Sequence, residues 1–437
     1  MNVIIVGGSL SGLMGGIVLK HAGHNVRIIE KDSDERQSHM AGVCLGYDAQ
    51  KFLALHDRMS QPFSLHSEQL QLLNQSAKPT LFVKVPRNAT SWDTLYYRLR
   101  ANFDGYRSSY FLEPPQNAPQ DGNAAYSSRQ QVIGIDRDND CEKMTLKVED
   151  RMSEETYSID ADMVIGADGP NSFIRSTYLP ECKHHFVGYI AWRGIVSEEN
   201  ISASTREVFS KNVTIYMYGR QHCLVYTIPG RRGSLCIGER YLNFCWYTNE
   251  TQDSLNNIMV DATTGHRYHN TVPAGCVRAN VWLSQLQLAE EAPLPSPFLE
   301  VIRNIRQPFI QIIHDHNVPR TVFEGGKILL IGDEVTLFRP HTAFSASQAA
   351  YHALQLEGFL AGRISKSDLE ENMLRYGYLH ALQSFSFGEF YQGTMITAAI
   401  VAMKYHAVRV TDKLACWWRG TESLLRTTER FEAKTSG

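Results

Sequence analysis

The stretch that most constrains this chain is its opening. Asn2 to Val6 is a run of strand-forming residues, Val6-Gly7-Gly8-Ser9-Leu10-Ser11-Gly12-Leu13 is a glycine turn, and Leu13 to His21 follows at helical spacing. Gly23 stops that helix, and Val26 to Glu30 reads as a second strand, which makes a βαβ unit. The dinucleotide fingerprint G-x-G-x-x-G places glycines where the turn is tight, where backbone approaches a pyrophosphate, and where helix meets strand. Gly7 and Gly12 hold its first and last positions, while Ser9 stands in the middle and can add a hydroxyl donor. Free N–H groups of Leu10, Ser11 and Gly12 at the helix start suit an anion. Glu30 ends the second strand, where a carboxylate binds a ribose 2′-hydroxyl and rejects a 2′-phosphate. The plainer alternative is a glycine-rich turn and a surface glutamate.

A chain of 437 residues exceeds one ordinary core and predicts two or three domains. Hydrophobic residues at 43% and charged residues at 20% fit a soluble globular protein. A formal net charge of -3 offers no electrostatic case for nucleic acid or an anionic membrane. The eight cysteines form no C-x-x-C pair, so free thiols in a reducing compartment are expected. No secretory signal is visible after Met1, and a cytoplasmic location is the expectation. The greasiest late stretch, Met395 to Met403, is too short to span a bilayer.

Further along, Trp92 to Phe103 reads as a helix, Pro114 to Ala125 as a surface loop, and Gln131–Ile135, Met144–Val148 and Ala161–Ile165 as strands. Residues 181–290, rich in Tyr, Trp, Val, Ile and Thr, predict a mainly antiparallel sheet. Lys327–Ile331 reads as a buried strand and Ser345–Leu360 as a helix. After Asp368 the pattern is helical, with Trp417 and Trp418 expected to pack inside. The resulting fold class is α/β. A Rossmann-like dinucleotide domain is assembled from 1–60, 91–180 and 321–375, a sheet domain from 61–90 and 181–320, and a helical segment from 376–437.

Two later elements join the first: Asp162-Met163-Val164-Ile165-Gly166-Ala167-Asp168-Gly169-Pro170, with Arg175 beyond it, and Gly332-Asp333, followed by Arg339-Pro340-His341. Fingerprint, D-G segment and G-D, in this order, resemble the single-component FAD-dependent aromatic hydroxylases. Thr90–Tyr96, Gly188–Gly194, Asn243–Tyr247 and Arg339-Pro340-His341 are similar to the branch around dihydroxypyridine hydroxylase, over residues 1 to about 362. The resemblance implies FAD as cofactor, NAD(P)H as a transient co-substrate, O₂ as oxidant and a flavin C4a-hydroperoxide as oxygen donor. It also implies that Asp333 binds ribityl or ribose hydroxyls, and that Asp168 serves FAD and NAD(P)H, with Arg175 as a pyridine-nucleotide contact or a surface charge. Pro340 and His341 would lie beside the isoalloxazine, with His341 deprotonating or orienting a phenol, or serving structure alone.

The chain also departs from that family. The usual T-G-x-G reads Thr342-Ala343-Phe344-Ser345, so Ala343 and Phe344 stand where the flavin is approached, and Glu334 and Val335 replace small residues. Altered flavin seating is therefore expected. The role of Arg36 is left open.

Substrate candidates are Tyr189, Trp192, Arg193, Tyr216, Tyr218, His222, Tyr226, Arg240, Asn243 and Trp246, with Arg193 and Tyr189 foremost. Alternation puts Tyr189 and Arg193 on one face, and Tyr216 and Tyr218 on one face. Sheet packing is the alternative for each aromatic. His314, Asp315 and His316 lack a partner cluster, so surface positions are expected and no metal. The leading function is hydroxylation of a phenolic or heteroaromatic small molecule. The rivals are an epoxidase or oxidative-rearrangement enzyme acting on an indole or polyketide, and a catalytically degenerate FAD-binding protein. A membrane-associated enzyme would use Met395–Met403 as its anchor, an internal helix being the alternative. A homodimer is left open.

Overall fold

A computed structural model describes residues 1–34, 41–138 and 143–419. Arg36 and the chain after 419 lie outside them. The opening unit forms as read: strand Asn2–Val6, helix Leu10–His21, strand Asn25–Ile29. Asn2–Val6 pairs in parallel with Asn25–Ile29 on one side and Met163–Gly166 on the other. Ile328–Leu330 lies beyond Met163–Gly166, and Ala124–Ser127 beyond Asn25–Ile29. Strands buried on both faces read as unbroken apolar runs, and Val164, Ile165, Ile328 and Leu330 are fully buried here.

The run Ala161–Ile165 departs from expectation. Ala161 ends an antiparallel strand, Thr156–Ala161, and the parallel strand begins at Met163. Asp162 turns the chain between them, its carboxylate accepting from the Asn2 N–H at 2.7 Å.

The second layer is a nine-stranded, mainly antiparallel sheet drawn from residues 70–83, 185–317 and 336–337. Its centre is His185–Ser197, flanked by Tyr241–Asn249 and Phe309–Asn317. One pairing is parallel, Leu70–Leu73 beside Val213–Tyr218. The helices Ala279–Glu291 and Ser296–Arg303 cover its outer face, with Phe298, Val301 and Ile302 fully buried. The inner face meets the late helix Lys366–Gln392, while helix Ser345–Leu360 packs on Leu10–His21 and brings its start to the cavity. The last helix, Met395–Arg419, lies against Lys366–Gln392, and Tyr405 packs with Leu379 and Leu382. Trp417 and Trp418 do not pack inside; they are 81% and 85% exposed.

Candidate active site

A single cavity of about 1020 Å³ runs from the fingerprint to the inner face of the large sheet. At one end the three sequence motifs converge, although they are more than a hundred residues apart. A Cβ on Gly7, whose φ is +100°, would stand 2.3 Å from the Ala167 carbonyl oxygen. One on Gly12 would stand 2.0 Å from the Gly7 carbonyl oxygen, and one on Gly332 2.0 Å from the Ser11 Oγ. These glycines are demanded by the contacts between the segments themselves. Ser9 makes no side-chain cap bond, so the N–H groups opening helix Leu10–His21 stay available to an anion. Both Glu30 oxygens are anchored, by the Gly8 N–H at 2.7 Å and the Asp32 N–H at 2.9 Å, and the carboxylate stands in the cavity wall.

Asp168 takes the Phe173 N–H on Oδ2 at 2.6 Å, while its buried Oδ1 has no partner. Asp333 lines the cavity beside Ser345, and burial pushes its carboxyl up to about 6. A second uncapped helix start, at Ser345, faces the cavity with Ala343, Phe344 and Ala346. The arrangement fits a dinucleotide with a ring system at its far end: two helix N-termini for anionic or carbonyl oxygens, and carboxylates for hydroxyls.

Glu334 does not reach this cavity. Its side chain folds back beneath the parallel strands, accepting from the Ile331 N–H at 3.2 Å and the Asp168 N–H at 3.3 Å. The space it fills is open because residue 166 is glycine, where a Cβ would meet Glu334 Oε1 at 2.5 Å. Burial, then the neighbouring Asp168 carboxylate, raises the Glu334 carboxyl well above the usual carboxylate range. Arg175 is neither a surface charge nor part of the cavity lining. It is buried, with its guanidinium on the Pro170 carbonyl, the Glu334 carbonyl at 3.4 Å and His316 Nε2 at 3.2 Å. His316 is buried too, and His314 stands in the cavity wall against His184, so the surface expectation for this pair fails. Asp315 instead accepts from Arg339 Nε at 2.8 Å. No group that could hold a metal occurs among the described residues.

At the other end, the sheet contributes Arg193, Ile215, Tyr226, Asn243, Cys245 and Tyr247, and Pro340 and His341 close over them. Gly42 leaves room for Tyr226, whose hydroxyl would lie 2.3 Å from a Cβ there, while Asn243 Oδ1 holds the Gly42 N–H at 3.0 Å. Arg193 donates from Nη1 to Gln311 at 3.0 Å and lies over Phe309, yet its buried Nε has no partner. Tyr189 holds His341 Nε2 at 2.7 Å. The Arg339 guanidinium contacts the same hydroxyl, so its proton points to His341. That leaves His341 Nδ1 as an N–H donor, buried and without a partner. Burial, reinforced by Arg339, lowers His341 to about 3 and keeps it neutral, so the imidazole orients better than it removes protons. Tyr247, His222 and Tyr391 surround it, with ring centroids 5.1, 5.2 and 5.6 Å away.

Several expected substrate residues sit elsewhere. Tyr216 and Tyr218 do share a face, but the outer one: they stack 5.7 Å apart, and Tyr216 donates to the Pro293 carbonyl at 2.6 Å. Val213, Ile215 and Met217, one residue out of phase, line the cavity. Trp246 and Trp192 also face outward, bonded to Gln221 at 3.0 Å and Thr248 at 2.9 Å. Arg240 is held by Glu198 at 2.7 Å. Sequence reasoning missed Gln383, Phe387, Phe390 and Tyr391 of the penultimate helix, all of which line the cavity. No motif marks them; they arrive through helix packing.

Comparison with known proteins agrees with this geometry. An FAD-binding-domain family matches residues 1–44, and an FAD-binding-domain-like family matches 186–315. The chain is 26% identical over 357 residues to 2,6-dihydroxypyridine 3-monooxygenase of Paenarthrobacter nicotinovorans, covering 81% of each chain. It is 25% identical to 6-hydroxynicotinate 3-monooxygenase of Pseudomonas fluorescens, over 80% of this chain and 79% of that one. Among solved structures, 2,6-dihydroxypyridine-3-hydroxylase from Arthrobacter nicotinovorans superposes with a TM-score of 0.73 at 23% identity, covering 90% of this chain and 93% of that one. Klebsiella pneumoniae HpxO, complexed with FAD and uric acid, superposes at 0.65 with 14% identity, covering 93% and 92%. The chain is similar to the FAD-dependent aromatic hydroxylases among the flavoprotein monooxygenases. Among these it is similar to the dihydroxypyridine hydroxylase.

Proposed function

We propose that this enzyme uses NAD(P)H and O₂ to hydroxylate a small hydroxylated aromatic or N-heteroaromatic ring. The observation that carries this reading is a pair of buried, unpartnered donors, Arg193 Nε and His341 Nδ1, in one cavity wall beside Tyr226 and Tyr247. A buried donor left unpaired costs about 1–3 kcal/mol. A ring bearing an oxyanion or carbonyl oxygen would satisfy both while its faces meet the aromatic side chains. The 2,6-dihydroxypyridine and 6-hydroxynicotinate in the relatives' names have this chemistry.

FAD, when bound, supplies the electron transfer from NAD(P)H and the activation of O₂. Gly7, Ser9, Leu10, Ser11 and Gly12 would hold its pyrophosphate, with Glu30, Asp168 and Asp333 on hydroxyls and Pro340, Ala343 and Phe344 beside the ring. Arg193 favours the ionised, electron-rich form of the substrate. Neutral His341, fixed by Tyr189, sets the angle of its oxygen. The apolar walls Ile215, Leu224 and Phe387 exclude water.

The test is NADH and NADPH oxidation by the flavin-loaded protein with hydroxypyridines, phenols and indoles, with product analysis. Stimulated oxidation with a hydroxylated product is expected from one of the first two groups. Arg193→Met should lower kcat/KM about 10- to 100-fold with FAD content unchanged. Stimulation by indoles alone, with an epoxide or a rearranged product, would replace this reading. Flavin-loaded protein that none of these compounds stimulates would refute it.

A further inference from the structure

The last helix carries a feature that the flavin chemistry does not use. Ile396, Ile400, Met403, Val410, Leu414 and Trp417 recur at spacings of three, four and seven residues and so share one helix face. That face is turned outward: each is more than half exposed, and Trp418 extends it. The opposite face, with Ala398, Val401, Tyr405 and Cys416, is buried. Exposed apolar rows of this length mark an interaction surface.

Its charges select the partner. Lys404 and Lys413 are exposed along the stripe. The one acid of Met395–Trp418, Asp412, is buried and paired with Arg375. Two copies meeting along this stripe would set cations against cations. An anionic surface would meet complementary charge, and paired tryptophans suit the headgroup boundary. No helix among the described residues is long and apolar enough to cross a bilayer, so the helix would lie on one. Exposed apolar residues also rim the cavity. Phe387 and Phe390, just before Met395 in the chain, are exposed and line it, as do Leu81 and Val83 from the large sheet.

We propose that the protein docks through helix Met395–Arg419 on an anionic phospholipid surface, with the apolar rim of its cavity toward the lipid. The whole-chain charge of -3 conceals this local arrangement. The inference is independent of the reaction assigned above.

The experiment is flotation of the full-length flavin-loaded protein with vesicles of phosphatidylcholine alone, or mixed equally with phosphatidylserine. Binding to the mixed vesicles, loss of binding at high salt, and a blue shift of tryptophan emission are expected. Lys404→Gln with Lys413→Gln should weaken binding about 25-fold, at roughly fivefold per basic residue. Trp417→Ser with Trp418→Ser should abolish it, while FAD content and melting temperature stay as in the parent. Absence of flotation with the mixed vesicles at low salt would overturn the proposal. So would flotation that the tryptophan pair does not affect. A dimer in light scattering that Ile400→Gln with Leu414→Gln dissociates would assign the face to a second copy instead.

Discussion

The two ends of the cavity are built by different rules. The nucleotide end is a backbone device, in which Gly7 and Gly12 let backbone touch backbone at distances that no side chain tolerates, and Gly332 leaves room for the Ser11 side chain. The ring end is a side-chain device, in which Arg193, Tyr189 and His341 hang from a sheet and a turn, and their roles depend on which way they point. Damage at the first end should therefore cost fold and flavin together. Damage at the second should cost turnover alone.

The largest effect expected is at the first end. Gly12→Ala drives a methyl into the Gly7 carbonyl, where the ideal Cβ lies 2.0 Å from the oxygen. It should cost about 3 kcal/mol or more in urea unfolding and lower FAD affinity over about 100-fold by fluorescence titration. A variant that keeps both would break the comparison.

Next in size is acid. His352 accepts the Gly332 N–H at Nδ1 (2.9 Å) under the nucleotide end, and His341 serves the ring end. Burial lowers both to about 3 from the ordinary 6.5, so each is neutral in the fold. The unfolded chain takes up protons below about pH 6.5 and the folded one does not, so stability is full above that pH and falls toward pH 3. Together they should remove about 3 kcal/mol between pH 7 and roughly pH 5.5, read from urea midpoints. An unchanged midpoint would mean that these imidazoles are hydrated.

The difference between the ends also explains what the sequence discloses. A glycine required by a backbone contact leaves one residue type at one position, so the fingerprint, the D-G segment and the G-D turn could be found and joined without coordinates. Helix Ser345–Leu360 was legible end to end for another reason: alanine, leucine and glutamine dominate it, with no proline and no glycine before Gly358. Strand phase is less visible. Val213–Tyr218 is buried on both faces, so alternation shows that Tyr216 and Tyr218 agree but not which side they take. Gln383 and Tyr391 belong to the cavity only because a late helix packs there, which local pattern cannot express. Trp417 and Trp418 misled for the opposite reason: large apolar side chains are read as core unless a surface uses them.

A smaller effect sharpens the ring end. Tyr189→Phe removes the hydroxyl that fixes His341 Nε2 and frees the other tautomer. About tenfold lower kcat/KM is expected, with FAD affinity unchanged. Tyr216→Phe, on the outer face, should leave kinetics alone. Equal losses in the two variants would return Tyr216 to the site.

The smallest effect falls where the two ends meet. Ala343 takes the left-handed conformation, φ +56° and ψ +40°, in the turn between His341 and helix Ser345–Leu360. A residue with a Cβ pays about 1–2 kcal/mol for that conformation, and glycine does not. Ala343→Gly should therefore raise unfolding stability, by about 1 kcal/mol once the greater freedom of glycine in the unfolded chain is subtracted. The turn keeps its shape in either case, because Arg87 Nη1 holds the Thr342 carbonyl at 3.1 Å and the Ala343 N–H bonds to the Pro340 carbonyl. If stability rises while flavin affinity and turnover stay level, the methyl is strain the fold tolerates and the missing glycine left flavin seating intact. If flavin binding changes with it, the backbone rule of the nucleotide end extends across the cavity as far as residue 343.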